Sequence, residues 1–411
     1  MNSRHIAPIA FCRSIGYIWR AMSAESMNDF IIQCSRSELK SWQITRIDKI
    51  LRSGINWRSV LDRAAYEGVL PLFSRNLKSF RDRIPETLSR QMKNAYLANL
   101  ARNSRLFHKL VPLLRAFDRG GLRAVLTRGG RLAETVYHDW GLRYFVDIDF
   151  MVHPGETKLL VEVLEQQGYW ENSHASRFPG EDVRELAWIM ETGFHKDDLI
   201  LDFHFNFPGI EIPLDADVGI WDHIQSLDFF GIPAKIFAPE YELCLLCLHG
   251  QKHCYERLIW LTDIAELAAL PEIDWQKFVD ICRALEISAQ VYYGFYLVNM
   301  LWSDTISMDV IKNLEPGRIR KKILSVIWPS NKVLARQINT EQIGHASFIF
   351  LFGSVKRLGL KFKTLLSIAF PPRGYMSFFY KVPKNSIKIY LHYFWRIFRP
   401  LPLLFRALLR I

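Results

Sequence analysis

Asp147 and Asp149 stand one residue apart in the apolar run Tyr-Phe-Val-Asp-Ile-Asp-Phe-Met-Val. Side chains alternate faces along a strand, so a strand here puts both carboxylates on one face and Val146, Ile148 and Phe150 on the other. Paired charges in apolar surroundings are costly unless something offsets them. A divalent cation does so: Mg²⁺ or Mn²⁺ takes oxygen ligands and bridges carboxylates to substrate phosphates. Taken alone, Asp-x-Asp also fits an exposed edge strand with a solvated acidic face. A third carboxylate strengthens the metal reading. In Leu199-Ile-Leu-Asp-Phe-His-Phe-Asn-Phe, the odd-numbered residues form an apolar face, and Ile200, Asp202, His204 and Asn206 form the other. Asp147, Asp149 and Asp202 on two strands could hold two cations about 4 Å apart, the arrangement for in-line phosphoryl chemistry. Asp202 could also orient or deprotonate an acceptor hydroxyl. The plainer alternative is that Asp202 and His204 satisfy each other on an exposed face.

Upstream, Arg128-Gly129-Gly130 separates the apolar, partly β-branched stretch 122–127 from a helix-like stretch 131–138. Glycines at a strand-to-helix junction let the backbone approach an anion, and N–H groups at a helix start can hold phosphate oxygens. The motif is neither a Walker loop nor Gly-x-Gly-x-x-Gly, and Gly-Gly is often simply a turn. Arg128, Arg131 and Arg143 are candidate triphosphate clamps. Downstream, Cys244-x-x-Cys247-x-His249-x-x-x-His253-Cys254 has the residue types of a zinc site. It lies inside a helical pattern running from Glu240 to Leu261, with the cysteines on an apolar stripe, so a packed helix fits better. His249 and Lys252, with His204, become candidates to face a nucleotide. The chain has no Gly-x-Ser-x-Gly elbow and no cysteine in a nucleophile setting, so hydrolase and protease readings have no support.

The elements that must position these residues follow from the local patterns. Residues 38–120 read as a helical region, with an Asn cap at Asn56, a long helix from Tyr96 to Phe117 and a stop at Gly120-Gly121. Residues 121–237 read as an α/β core. Its strands are 122–127, 144–152, 186–193 and 199–207, and an amphipathic helix from Thr157 to Gln167 ends at Gly168. Residues 238–341 read as a second helical region. Residues 1–37 read as a flexible leader, or as the product of a start codon called too early, with Met22 or Met27 as the true start.

Charge is concentrated at the end. The chain of 411 residues has a net charge of +11, yet residues 342–411 hold twelve of its 53 Lys and Arg and no Asp or Glu. The first 341 residues are therefore near neutral, which argues against a nucleic-acid-coating protein and for a local anionic partner of the tail. No nucleic-acid-binding module is evident. On a helix, Lys384, Lys388, His392 and Arg396 form one polar stripe among Ile387, Tyr390, Leu391, Phe394 and Trp395. Such a helix in residues 380–411 suits an anionic membrane surface; packing onto the enzyme or onto a partner helix are the alternatives. Six cysteines are sparse for this length and suit a reducing cytoplasmic setting. No apolar run approaches a membrane span, so attachment would be peripheral, on the inner face of the membrane.

Several segments in order are more specific than any one alone: Leu126-Thr-Arg-Gly-Gly-Arg-Leu-Ala-Glu-Thr-Val-Tyr, Gly141-Leu-Arg-Tyr-Phe-Val-Asp-Ile-Asp-Phe-Met-Val, Leu201-Asp-Phe-His-Phe, Leu248-His-Gly-Gln-Lys-His, Arg257-Leu and Trp260-Leu-Thr-Asp-Ile. The set resembles the bacterial "uncharacterised nucleotidyltransferase" family of the polymerase-β-like superfamily, over roughly residues 50–300. The resemblance implies an α+β fold: a mixed sheet with flanking helices, a helical lead-in and a C-terminal helical region. It implies Gly129 and Gly130 as the glycine motif, Asp147 and Asp149 as the metal pair and Asp202 as the third carboxylate. Arg143 matches the arginine ahead of the pair, and His249 and Asp263 match polar positions in the helices behind the site. Three positions depart from the family pattern: Arg128 where lysine is usual, Val146 where a small residue is usual, and Gly130 where many relatives in the wider superfamily carry serine. The expected activity is transfer of a nucleoside monophosphate from an NTP such as ATP to a hydroxyl acceptor. The competing expectation is an inactive binding protein on the same fold, tethered by its tail.

Overall fold

A computed structural model describes residues 24–171, 191–205, 219–318, 320–322, 370, 373–383 and 385–398. Four helices open it: α1 (Ala24–Gln33), α2 (Ser41–Leu51), α3 (Trp57–Tyr66) and α4 (Leu70–Asn76). The Asn56 side chain caps α3 by accepting from the Ser59 N–H. Residues 24–37 of the expected leader fall within the described residues. This part forms α1, which buries Phe30 and Ile31, with Phe30 packed edge-on against Trp57 and Phe73. The long helix α5 (Glu86–Arg119) runs through Pro112 and ends at Gly120.

Among the described residues the sheet has seven strands in the order β3-β4-β5-β2-β1-β7-β6. They are β1 (Val125–Thr127), β2 (Ile148–Met151), β3 (Trp170–Glu171), β4 (Glu191–Lys196), β5 (Leu199–His204), β6 (Ile224–Phe229) and β7 (Ile232–Phe237). Among the described residues, α6 (Arg128–Thr135) follows β1 and α7 (Thr157–Gln166) follows β2. The pairings mix parallel (β2 with β5, β1 with β7) and antiparallel (β1 with β2) neighbours, so the α+β class with flanking helices holds.

Details differ from the sequence reading. Strand β2 is shorter than 144–152, because residues 143–147 run as irregular chain pinned by α5. Asn103 donates to the Trp140 and Arg143 carbonyls, and Arg102 to those of Phe145 and Val146. The β6–β7 hairpin was not anticipated; Phe230 and Gly231 turn it with positive φ. The helix expected over 240–261 is two helices, α8 (Pro239–Lys252) and α9 (Leu258–Ala268). The break comes at Cys254 and Tyr255, both left-handed, where the Tyr255 ring lies against Gly250 and its hydroxyl reaches the Cys247 carbonyl. Helices α10 (Trp275–Ala284), α11 (Ser288–Leu301) and α12 (Met308–Leu314) follow among the described residues, and α13 (Arg373–Tyr380) and α14 (Lys388–Phe398) lie in the tail. The first part of the strand expected over 186–193 lies outside the described residues, as do Asn206, Phe207, Lys384, Arg399, Arg406 and Arg410.

Two apolar cores result. One lies between the sheet, the C-terminal half of α5 and α7. The other joins α1–α4 to α8–α12, so the first and second helical regions share one interior. The carboxylates sit where this helical layer meets the sheet.

Candidate active site

Strands β2 and β5 run parallel with Asp149 opposite Asp202, so the two carboxylates leave the sheet on one side. Asp147 lies in the bend just ahead of β2. Antiparallel β1 places Thr127 opposite Asp149, and the chain then passes directly into α6. Gly129 and Gly130 are thus the first turn of that helix and not a loop before it. Gly129 has no room for a side chain: a Cβ would stand 2.8 Å from Cβ of Phe145.

A pocket of about 260 Å³ gathers these parts. Asp147, Asp149 and Asp202 line it together with Arg128, Gly129, Arg143 and His204. His249, His253 and Trp260 close the side formed by α8 and α9; their ring centroids lie 4.7–5.5 Å apart. Lys252, at the end of α8, is not among the lining residues. A larger and more open groove of about 520 Å³ passes His223 and Lys277, away from the carboxylates.

Charge in the pocket is uneven. Burial, and then the negative charge of Asp149, push the Asp147 carboxyl above its usual range, against the pull of Arg128. Asp147 also contacts Asp202 within hydrogen-bonding reach. Asp149 is engaged by two partners, Nη2 of Arg128 at 2.9 Å and Nε2 of His204 at 3.1 Å, both on Oδ1. Nη1 of Arg128 lies 2.8 Å from Nδ1 of His249. Burial, then the nearby Arg128, holds His249 well below the usual imidazole range, so it stands neutral with Nδ1 accepting. Arg143, expected at the nucleotide, faces Asp263 in a two-pronged buried pair, Nε to Oδ1 at 2.8 Å and Nη2 to Oδ2 at 2.6 Å. The Tyr137 hydroxyl donates to the same carboxylate at 2.8 Å. Arg131 is likewise paired, with Glu242 at 2.8 Å.

Glu242 went unnoticed in the sequence. It is fully buried on α8 and accepts from the Thr127 hydroxyl, the Arg128 N–H (2.6 Å) and Arg131. One carboxylate thereby fixes the strand-to-helix junction. The available signal was an acid two turns before His249, on a helix face whose neighbouring positions are Leu245 and Leu246. Asn99 and Asn103, four apart on the buried side of α5, were also missed; Asn99 holds the Gly141 carbonyl.

The donor set suits a hard divalent cation: three carboxylates, oxygen only, with Asp147 and Asp149 repelling each other. As they stand, no three His, Cys, Asp or Glu side chains among the described residues are gathered closely enough to hold a metal. That covers the Cys244–Cys254 segment too, where Cys244 and Cys247 are buried thiols packed in the helical core.

A mixed sheet carrying paired aspartates beside a glycine turn at a helix start fits a protein of the nucleotidyltransferase class. The family model described as "uncharacterised nucleotidyltransferase" matches residues 53–303, more than half of the chain, and the protein belongs to that family. No curated protein matches it.

Proposed function

We propose that the protein transfers a nucleoside monophosphate from an NTP to a hydroxyl group on a small molecule, sugar or protein. The supporting observation is that Asp147, Asp149 and Asp202 line one pocket with Arg128 and Gly129. Asp147 and Asp149, with Asp202, are the residues that would hold Mg²⁺ or Mn²⁺. A bound cation neutralises triphosphate charge as it develops on the leaving group. The chain supplies the rest. The first-turn N–H groups of α6, at Gly129 and Gly130, face an anion favourably. Arg128 supplies a planar donor fork for phosphate oxygens. Asp202 receives or orients the proton of the acceptor hydroxyl. The His249, His253 and Trp260 wall keeps water from one side of the pocket. Incubation with labelled NTP, Mg²⁺ and candidate acceptors should give label transfer or pyrophosphate release, lost in Asp147→Asn and Asp149→Asn. Activity persisting in both variants would refute the assignment.

One observation favours a second reading. The Arg128–Asp149 pair already neutralises a carboxylate that catalysis needs, as in a binding protein that has lost turnover. Calorimetry separates the two. Nucleotide binding that needs no Mg²⁺, with no turnover, supports the inactive reading.

For the tail, we infer attachment to an anionic membrane surface. Ile387, Tyr390, Leu391, Phe394 and Trp395 are exposed on and beside α14, Trp395 by 66%, in a segment that has basic and no acidic residues. No helix among the described residues is long and apolar enough to cross a membrane. Vesicles containing phosphatidylserine should float the full chain and not a form lacking residues 380–411. Equal flotation of both would reject it.

A further inference from the structure

Arg128 is the residue whose geometry this chemistry leaves unexplained. Its φ of 54° is left-handed, a region that a long side chain rarely adopts. Glu242 holds it there through the Arg128 N–H. The side chain, 9% exposed, does not reach outward for a phosphate. It runs inward to Asp149 at 2.9 Å and His249 at 2.8 Å. A guanidinium has donors only, so His249 must accept, and the neutral state imposed by its burial lets it do so.

A guanidinium and a divalent cation compete for the same oxygen of Asp149, because both are positive and both need contact distance. We infer that Arg128 is the resident counter-cation of the ligand-free site: it occupies the seat on Asp149 that a metal ion takes, and it leaves that seat when an anionic triphosphate offers its donor fork an equivalent partner. Carboxylate and phosphate satisfy the same planar fork, so the exchange costs the arginine no hydrogen bonds. Metal alone must then displace a buried ion pair and binds weakly. Metal arriving with triphosphate meets a vacated carboxylate and binds tightly. By linkage the coupling is reciprocal, and nucleotide binding gains from the metal by the same factor. Lysine at this position would act as a point charge without the fork. The departure from the family pattern at Arg128 thus falls at the point that sets metal affinity. This inference rests on the metal-binding part of the nucleotidyltransferase reading, and not on turnover.

The test is Mn²⁺ titration of the nucleotide-free full chain, with free Mn²⁺ counted by its paramagnetic resonance signal. Wild type is compared with Arg128→Gly, which removes the guanidinium and suits a positive φ, and with Arg128→Met, which keeps part of the stem. Circular dichroism establishes that each variant is folded. Both variants should bind Mn²⁺ at least about tenfold more tightly than wild type, the scale of a typical coupling between sites. Adding Asp149→Asn should abolish the gain. Equal or weaker binding in the folded variants overturns the inference, and does so even if nucleotidyl transfer is found. Mn²⁺ binding to none of the proteins overturns the metal reading as well. Tighter binding with no transfer activity supports the inference and counts against the proposed enzyme.

Discussion

At the residue scale the two aspartates of the pair are not equivalent, and that makes them separable without an activity assay. Asp149 has Arg128 and His204 on its carboxylate. Replacing it with asparagine leaves a buried guanidinium without its anion, so Asp149→Asn should lower stability by about 3 kcal/mol. Asp147 is crowded by Asp149 and desolvated, so Asp147→Asn should raise the thermal midpoint. Melts of the two variants moving in the same direction would contradict this picture of the charges. His249 gives a pH signature. Folding holds its imidazole below the usual range by burial and by Arg128, while the unfolded chain takes up a proton near pH 6.5. The unfolded state therefore binds more protons as pH falls. Stability from this group is full above about pH 6.5 and is lost below it. Urea unfolding at about pH 7.5 and about pH 5.5 should show the loss, and His249→Asn, whose side-chain oxygen can replace Nδ1 as acceptor, should reduce it. Alternation in two apolar strands made Asp147, Asp149 and Asp202 visible in the sequence. The partners of Arg128, Arg131 and Arg143 were not visible, because Glu242, His249 and Asp263 lie more than a hundred residues away on other elements.

At the element scale the strand-to-helix junction sets the geometry of the pocket, and its two glycines do different work. A Cβ at Gly129 would meet the stem of Phe145 at 2.8 Å, and that stem cannot turn aside. Gly129→Ala should therefore cost about 1–3 kcal/mol. A Cβ at Gly130 would make an ordinary contact, 3.5 Å from Cγ2 of Ile148. Gly130 is inside a helix, so Gly130→Ala should stabilise by up to about 1 kcal/mol. Gly130→Ser fits equally well and places a hydroxyl at the turn. Chemical denaturation of both alanine variants decides the matter, and similar losses at the two positions would show that α6 does not begin at Arg128. Periodicity located α5, α7 and the strands β2 and β5. It overran at Lys252, because an apolar, cysteine-rich run continues past a break that only the packing of Tyr255 on Gly250 requires. It missed the β6–β7 hairpin, whose outer strand is half-exposed and only weakly alternating.

At the scale of the whole molecule the candidate pocket depends on a core that reaches it only through Leu246, Ile259 and Trp260. Helices α1–α4 precede the α/β core in sequence, yet they pack against α8–α12 in one apolar interior. Polar links secure that seam: Arg36 meets Glu266 at 2.5 Å, and the Glu67 carboxylate and carbonyl receive the Leu258 and Ile259 N–H groups. Sequence order suggested a lead-in layer, since nothing local says that two helical regions separated by a sheet will merge. Helices α8 and α9 carry Glu242, His249, Trp260 and Asp263, and with them the far wall of the pocket and the partners of Arg131 and Arg143. The N-terminal helices should therefore stabilise the site from a distance. Leu72 is fully buried on α4 and contributes nothing to the pocket. Leu72→Ala should cost about 2–5 kcal/mol, and the loss should appear at the junction as faster amide exchange through global opening at Gly129–Leu132. If α1–α4 were an independent layer, far-UV circular dichroism would report a destabilised fraction of the helix while exchange at Gly129–Leu132 stayed at its wild-type rate. Parallel loss at both places is the expected result, because a helix that holds Glu242 against the Arg128 N–H cannot lose its packing without releasing the turn.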